Sequence, residues 1–211
     1  MKTYVLLFTI IFCLFSCGNS GSRKNSASGK LSDDKDSCDN PDAPLSCLFV
    51  KVHPELTSIM DIDNSSEDGK RIIIKGQIFK EDGITPYNDL IIYAYHTDNK
   101  GYYSKKGDET GVNKQHGSHY GYCKTDTEGR YEISTIRPGR YPVNKFPAHI
   151  HWAVKEPDGN MFYLNDFVFS DDSLVNNDYL SHLIYKGDDG VIILKDNGSG
   201  ISEGNRITVL K

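Results

Sequence analysis

An all-β sandwich is the fold class that this 211-residue sequence predicts. Short β-rich runs follow one another through most of the chain, and turns bearing glycine, aspartate or asparagine separate them at close intervals. The runs are Arg71 to Phe79, Leu90 to His96, Gly129 to Thr135, His149 to Lys155, Met161 to Phe169, Val191 to Leu194 and Arg206 to Leu210. The turns fall at Asp82-Gly83, Asn99-Lys100-Gly101, Glu128-Gly129, Pro157-Asp158-Gly159 and Asp189-Gly190. That is the rhythm of a β-sandwich. A short helix is predicted around Leu174 to Ile184, and no internal repeat, phosphate-binding glycine loop or serine triad is evident.

The chain opens with Met1-Lys2 and an apolar run from Tyr4 to Phe15, too short to span a bilayer stably and read as a secretory signal. It ends in Leu14-Phe15-Ser16-Cys17-Gly18. An apolar residue, a small residue, cysteine and glycine in that order form the pattern of a bacterial lipoprotein signal. Residues 1–17 are therefore expected to be the signal, with Cys17 the lipidated first residue of the mature chain and Cys13 removed. Phe15 is bulky for such a box, so a plain secretory peptide is the alternative. Either reading places the protein outside the cytoplasm. Residues 18–37 have almost no apolar side chains, cannot bury enough surface to fold, and read as a flexible tether.

Residues 38–211 are one domain's worth of chain. Cys38 and Cys47 bracket a short loop with Pro41 and Pro44, and in an oxidising compartment a local disulfide is expected between them. Cys123 is left over and reads as a small buried residue in a strand-like run.

Chemistry concentrates at Pro147-Ala148-His149-Ile150-His151. A His-x-His pair in a strand points both imidazoles to one face, while Ile150, Trp152 and Val154 take the other and would pack between the sheets. Two polar residues at period 2 also describe any solvated strand face. Tyr103 and Tyr141 raise the stakes, because each follows a glycine turn, in Asn99-Lys100-Gly101-Tyr102-Tyr103 and Pro138-Gly139-Arg140-Tyr141-Pro142. Phenols ionise near pH 10, so their use as ligands requires a strongly Lewis-acidic ion. Zinc is typically held by thiolate, imidazole or carboxylate, and Fe(III) suits two phenolates and two imidazoles better. Two phenolates and one hydroxide would also cancel its charge.

Three segments, Thr125-Asp126-Thr127-Glu128-Gly129-Arg130-Tyr131, Thr135-Ile136-Arg137-Pro138-Gly139-Arg140-Tyr141-Pro142 and the His-x-His run, resemble the core signature of intradiol ring-cleavage dioxygenases, the protocatechuate and catechol enzymes. The resemblance runs from near Gly76 to about Phe169. It implies a sandwich of the intradiol dioxygenase or transthyretin-like type, whose long loops form a metal cleft. It further implies non-haem Fe(III) held by Tyr103, Tyr141, His149 and His151, a small aromatic diol and O2 as substrates, and Tyr141 as the ligand that leaves and acts as general base. Tyr102 is the rival of Tyr103; adjacent strand residues point to opposite faces, so one of the two reaches the metal.

This chain departs from the family in two places. An arginine directly precedes the Pro-Ala-His-x-His run in the family, and Phe146 stands there instead; a glutamine in the following strand is replaced by Asp166. Losing a cation and gaining an anion disfavours a carboxylated catechol. Lys145 and Arg140 are the candidates to replace the missing charge. The Tyr141-to-His149 connection is also shorter than in the family.

Two other readings compete. Gly83, Pro86, Asp126, Gly129 and Tyr131 equally suit a transthyretin-like structural or binding module on a cell surface, and a ferric site retained without catalysis is the third possibility. The formal net charge of −5 and a pI near 5.8 argue against nucleic acid as partner. Interspersed charges leave the lipid as the expected membrane contact. His116, His119 and His182 are further imidazoles; the first two read as members of a solvated Gly- and Ser-bearing loop. A homo-oligomer is left open, since a two-fold interface has no one-chain signature.

Overall fold

In the computed structural model, which describes residues 37–62 and 68–211, two β-sheets pack face to face. The signal at 1–17 and nearly all of the tether at 18–37 lie outside the described residues. The strands in chain order are β1 (Ile59–Asp61), β2 (Arg71–Phe79), β3 (Ile91–His96), β4 (Tyr120–Lys124), β5 (Arg130–Ile136), β6 (His149–Lys155), β7 (Met161–Tyr163), β8 (Phe167–Phe169), β9 (Val191–Ile192), β10 (Lys195–Asp196) and β11 (Ser202–Val209). One-turn helices α1 (Asn113–His116) and α2 (Asn177–Ser181) interrupt them. Among the described residues no helix is long and apolar enough to cross a membrane.

The first sheet has the order β1-β5-β2-β11-β10, and the second β4-β3-β6-β8-β9 with β7 also paired to β6. Alternation sets the inner faces. In β2, Ile72, Ile74 and Ile78 are fully buried while Lys75 points out. Ile92, Ala94, Cys123, Ile150, Trp152 and Val154 face them from the second sheet. Burial raises the Cys123 thiol well above its ordinary value, which keeps it a neutral packing group.

The second sheet is covered on its outer face too. Tyr93, Tyr95 and Ala153 pack there against Leu48, Phe49 and the Cys38–Cys47 disulfide, whose Cα atoms are 5.5 Å apart. The Tyr122 hydroxyl donates to the Leu48 carbonyl at 2.6 Å, holding this cover down. Three expected elements are corrected in extent. The run Met161 to Phe169 is two strands, because after Leu164, whose N–H still donates to the Trp152 carbonyl of β6, Asn165 turns its N–H to the Lys186 carbonyl instead. The last strand begins earlier, at Ser202, drawn alongside β2 by eight parallel register pairs. The expected helix is only α2, with Asn176 capping Tyr179 N–H.

Candidate metal centre

The site lies where the outer face of the second sheet meets two loops. β6 supplies His149 and His151, and its partner β3 sets Tyr95 directly opposite His151. Tyr103 follows the turn closed by Gly101, and Tyr141 follows Gly139. These two loops touch through their glycines: a Cβ on Gly101 would lie 1.9 Å from the Arg140 carbonyl oxygen, and one on Gly139 would lie 2.5 Å from that of Asn99. Gly139 N–H donates to Asp98 O at 2.8 Å, and the Asp98 carboxylate accepts from Lys100 N–H, Tyr102 N–H and Ser104 Oγ. The Asp98 turn thus aims Tyr103 inward and leaves Tyr102 58 % exposed.

Four donor atoms converge. The Tyr103 and Tyr141 hydroxyls are 2.6 Å apart, and Tyr141 Oη is 3.2 Å from Nε2 of both His149 and His151. The two Nε2 atoms are 3.0 Å from each other. Their outer nitrogens decide what this means. His149 Nδ1 lies 2.7 Å from the Pro147 carbonyl oxygen, and His151 Nδ1 3.0 Å from Asp166 Oδ1. Both oxygens only accept, so both Nδ1 atoms carry the proton and both Nε2 atoms present lone pairs. The Tyr141 hydroxyl proton can serve only one of these two lone pairs at a time, whereas a cation between them would serve both, and a carboxylate or carbonyl behind each ring is the usual support of a metal-binding histidine.

Burial and its neighbour His151 push His149 down to about 4, which keeps its imidazole neutral and able to coordinate. Burial raises both phenols, Tyr103 far above the ordinary tyrosine value. Asp166 reaches His151 on the Nδ1 edge, behind the face that meets Tyr141 and His149, so its carboxylate orients the ring from outside the donor set.

A cleft of about 760 Å³ opens beside His151 and Asp166. Lys145 and Phe146 form part of its wall, with the Phe146 ring edge-on to His149 at 5.0 Å. Arg140 is not in the wall, which corrects its place among the pocket candidates. Its guanidinium makes a two-pronged pair with Asp172, and Asp172 also accepts from Ala148 N–H at 2.9 Å, so both serve the entry to β6. The solvated-loop reading of His116 and His119 is also corrected. His119 is 1 % exposed, and His116 stacks on Tyr95 with centroids 3.6 Å apart and bonds the Tyr93 hydroxyl. α1 folds this segment back over the sheet, a tertiary contact that composition does not reveal. His182 stands exposed at the cleft rim, bonded to the Asp178 carbonyl.

Sequence reasoning missed Tyr95, Asp172 and Arg206. Tyr95 stacks on His151 at 4.8 Å, and its parity with Tyr93 in a strand next to the His-x-His strand was the available signal. Arg206 is buried between the Trp152 and Phe167 rings, pairs with Asp188, and donates to the Asn165 carbonyl, which fixes the residue before Asp166. Nothing near Arg206 in sequence signals this.

Comparison with known proteins agrees with this architecture. The chain is 25% identical over 152 residues to catechol 1,2-dioxygenase 2 of Acinetobacter lwoffii, covering 58% of this chain and 53% of that one. It is 30% identical over 105 residues to the protocatechuate 3,4-dioxygenase beta chain of Burkholderia cepacia, covering 44% and 42%. The chain thus spans about half the length of these curated relatives. The dioxygenase domain of a dioxygenase and carbohydrate-binding fusion from Streptomyces sp. SirexAA-E shares the fold, with a TM-score of 0.55 at 20% identity over 76% of this chain and 92% of that one. The dioxygenase family model, Dioxygenase_C, matches residues 46–197, from the disulfide-bonded cover through β10 and including both tyrosine loops and the β6 histidines. By that match this chain belongs to the intradiol ring-cleavage dioxygenase family.

Proposed function

We propose that the protein is a non-haem Fe(III)-dependent dioxygenase that opens the ring of a catechol-like diol with O2, and that Tyr103, Tyr141, His149 and His151 hold the iron. The observation that supports this most is the convergence of two phenolic oxygens on two imidazole lone pairs whose tautomers are fixed from behind. The donor chemistry fits the metal. Phenols raised by burial become anions at neutral pH only beside a strongly Lewis-acidic ion, and ferric iron with two phenolates and a hydroxide is electrically neutral.

Bound iron would supply a template and Lewis acid that activates the diol toward O2. Within the protein's own part, Tyr141 touches all three other donors and is the residue assigned to accept a proton from the incoming diol. His149 and His151 stay fixed by Pro147 and Asp166 while it moves. In the overall reaction the bond between the two hydroxyl-bearing carbons breaks and each carbon gains one oxygen atom. The four electrons those carbons lose reduce O2, so no outside reductant is required.

The test is an anaerobic visible titration of the full chain loaded with ferric iron. A tyrosinate-to-iron charge-transfer band that shifts on adding catechol, followed by incorporation of both atoms of labelled O2, is the expected result. A His149/His151 double alanine variant that kept its iron would sink the assignment. A band indifferent to every catechol would favour a non-catalytic iron site, the reading that Phe146 in place of arginine supports.

We also propose that the protein is anchored outside the cytoplasm through lipid on Cys17. The order Leu14-Phe15-Ser16-Cys17-Gly18 and the Cys38–Cys47 disulfide, which belongs in an oxidising compartment, support this. Labelled fatty acid should enter the wild type and not Cys17→Ala; label in neither would indicate a plain secreted protein.

A further inference from the structure

Building on that reading, we infer that the diol this site takes carries an uncharged apolar or aromatic substituent about the size of a second ring, seated between Phe146 and the segment from Leu174 to Tyr185. Size is the first argument. A cavity of roughly 150 Å³ holds one benzene ring, whereas this cleft offers about 760 Å³, within the roughly 300–1,000 Å³ of pockets that enclose molecules of several rings. One catechol would leave most of it to water.

The second argument is the wall. Phe146 stands edge-on to His149 at 5.0 Å and edge-on to Tyr179 at 5.5 Å, so an aromatic surface starts against the donor set and continues outward. Leu174, Leu183, Ile184 and Tyr185 extend it. Ile184 is 80 % exposed and Tyr185 48 %, although both line a concavity. Apolar side chains left in water along a cleft are stabilised when an apolar group covers them.

Charge selects against the alternative occupant. Asp166 lies in the cleft beside His151 and Asp178 on its wall; Lys145 is also on the wall but exposed to solvent, and the Arg140 guanidinium is held by Asp172. A carboxylate on the substrate would therefore approach Asp166 with no buried cation to receive it.

The experiment is the anaerobic titration of the iron-loaded full chain with catechol, 4-phenylcatechol and protocatechuate, repeated on Phe146→Arg and Ile184→Asp. In the wild type, 4-phenylcatechol should half-saturate the spectral shift at a concentration at least tenfold below that of catechol, and protocatechuate at least tenfold above. Phe146→Arg should bring protocatechuate below catechol, and Ile184→Asp should shrink the phenylcatechol-to-catechol ratio at least threefold. Equal half-saturation by catechol and 4-phenylcatechol, or a ratio that neither variant moves, overturns the proposal while leaving the dioxygenase reading standing. A band that no diol shifts overturns both.

Discussion

Asp166 Oδ1 accepts from His151 Nδ1 at 3.0 Å, and this pair turns the Nε2 lone pair of His151 toward Tyr141 and His149. Removing the carboxylate should cost metal affinity without touching a donor atom. Asp166→Leu is expected to weaken iron binding about 10–100-fold, and Asp166→Asn, which keeps an acceptor oxygen but not the charge, by less. Competition with a chelator, followed by the charge-transfer band, measures it. Unaltered affinity in Asp166→Leu would show that the ring needs no such support.

Acid should destabilise the fold through buried histidines. Burial holds His96 down to about 3, with its ring bonded to Thr97 O and Thr135 Oγ1, and holds His116 and His149 down to about 4. Unfolded histidine titrates near 6.5. Between these values the unfolded chain binds more protons than the folded one, so stability is full above about pH 6.5 and falls as pH drops through the window toward 3. Thermal melts of iron-free protein should lose Tm steadily from pH 6.5 to 4. His96→Gln should have a shallower slope; an unchanged slope would remove His96 from the account.

Much of the fold was legible because it rests on short-range pattern. Ile72, Ile74 and Ile78 announce the inner face of β2, and the parity of Ile150, Trp152 and Val154 against His149 and His151 gives both faces of β6. The four converging side chains were likewise near glycine turns or two residues apart. What was not legible depends on partners far along the chain. β11 turns Ser202, Gly204, Arg206 and Thr208 inward and leaves Ile207 65 % exposed, the reverse of the hydrophobic pattern. That inversion holds because Arg206 finds Trp152, Phe167 and Asp188 across the core. Arg140 was read as a pocket cation because Asp172, its partner, lies in another loop.

The Arg140–Asp172 pair should be asymmetric under mutation. Asp172 is buried and accepts from Ala148 N–H and Leu174 N–H as well as from Arg140, whose side chain is 44 % exposed. Asp172→Ala strands a buried amide at the start of β6 and is expected to cost about 1–3 kcal/mol. Arg140→Ala leaves those amides paired and should cost clearly less. Urea unfolding should show the difference as a lower midpoint at constant m-value; equal midpoints for the two variants would refute the asymmetry.

The approach of the two tyrosine loops is the most exacting feature of the site, and glycine alone permits it. Gly101 has φ +87°, and an added Cβ would meet the Arg140 carbonyl oxygen at 1.9 Å and its carbonyl carbon at 2.7 Å. Backbone atoms cannot yield as a flexible side chain does, so Gly101→Ala must push the Tyr103 loop away from the Tyr141 loop. The 2.6 Å contact between the phenols should then be lost, and iron affinity should fall at least tenfold with the charge-transfer band. Because the displaced segment is a loop outside both sheets, far-UV circular dichroism should persist. Gly107→Ala separates the causes: Gly107 has φ +103° and nothing within 4 Å of its would-be Cβ. That variant bears the left-handed strain of about 1–2 kcal/mol without the collision, so it should lose a few degrees of Tm and keep its iron. If Gly101→Ala bound iron as tightly as Gly107→Ala, the close approach of the loops would not be what assembles the donor set.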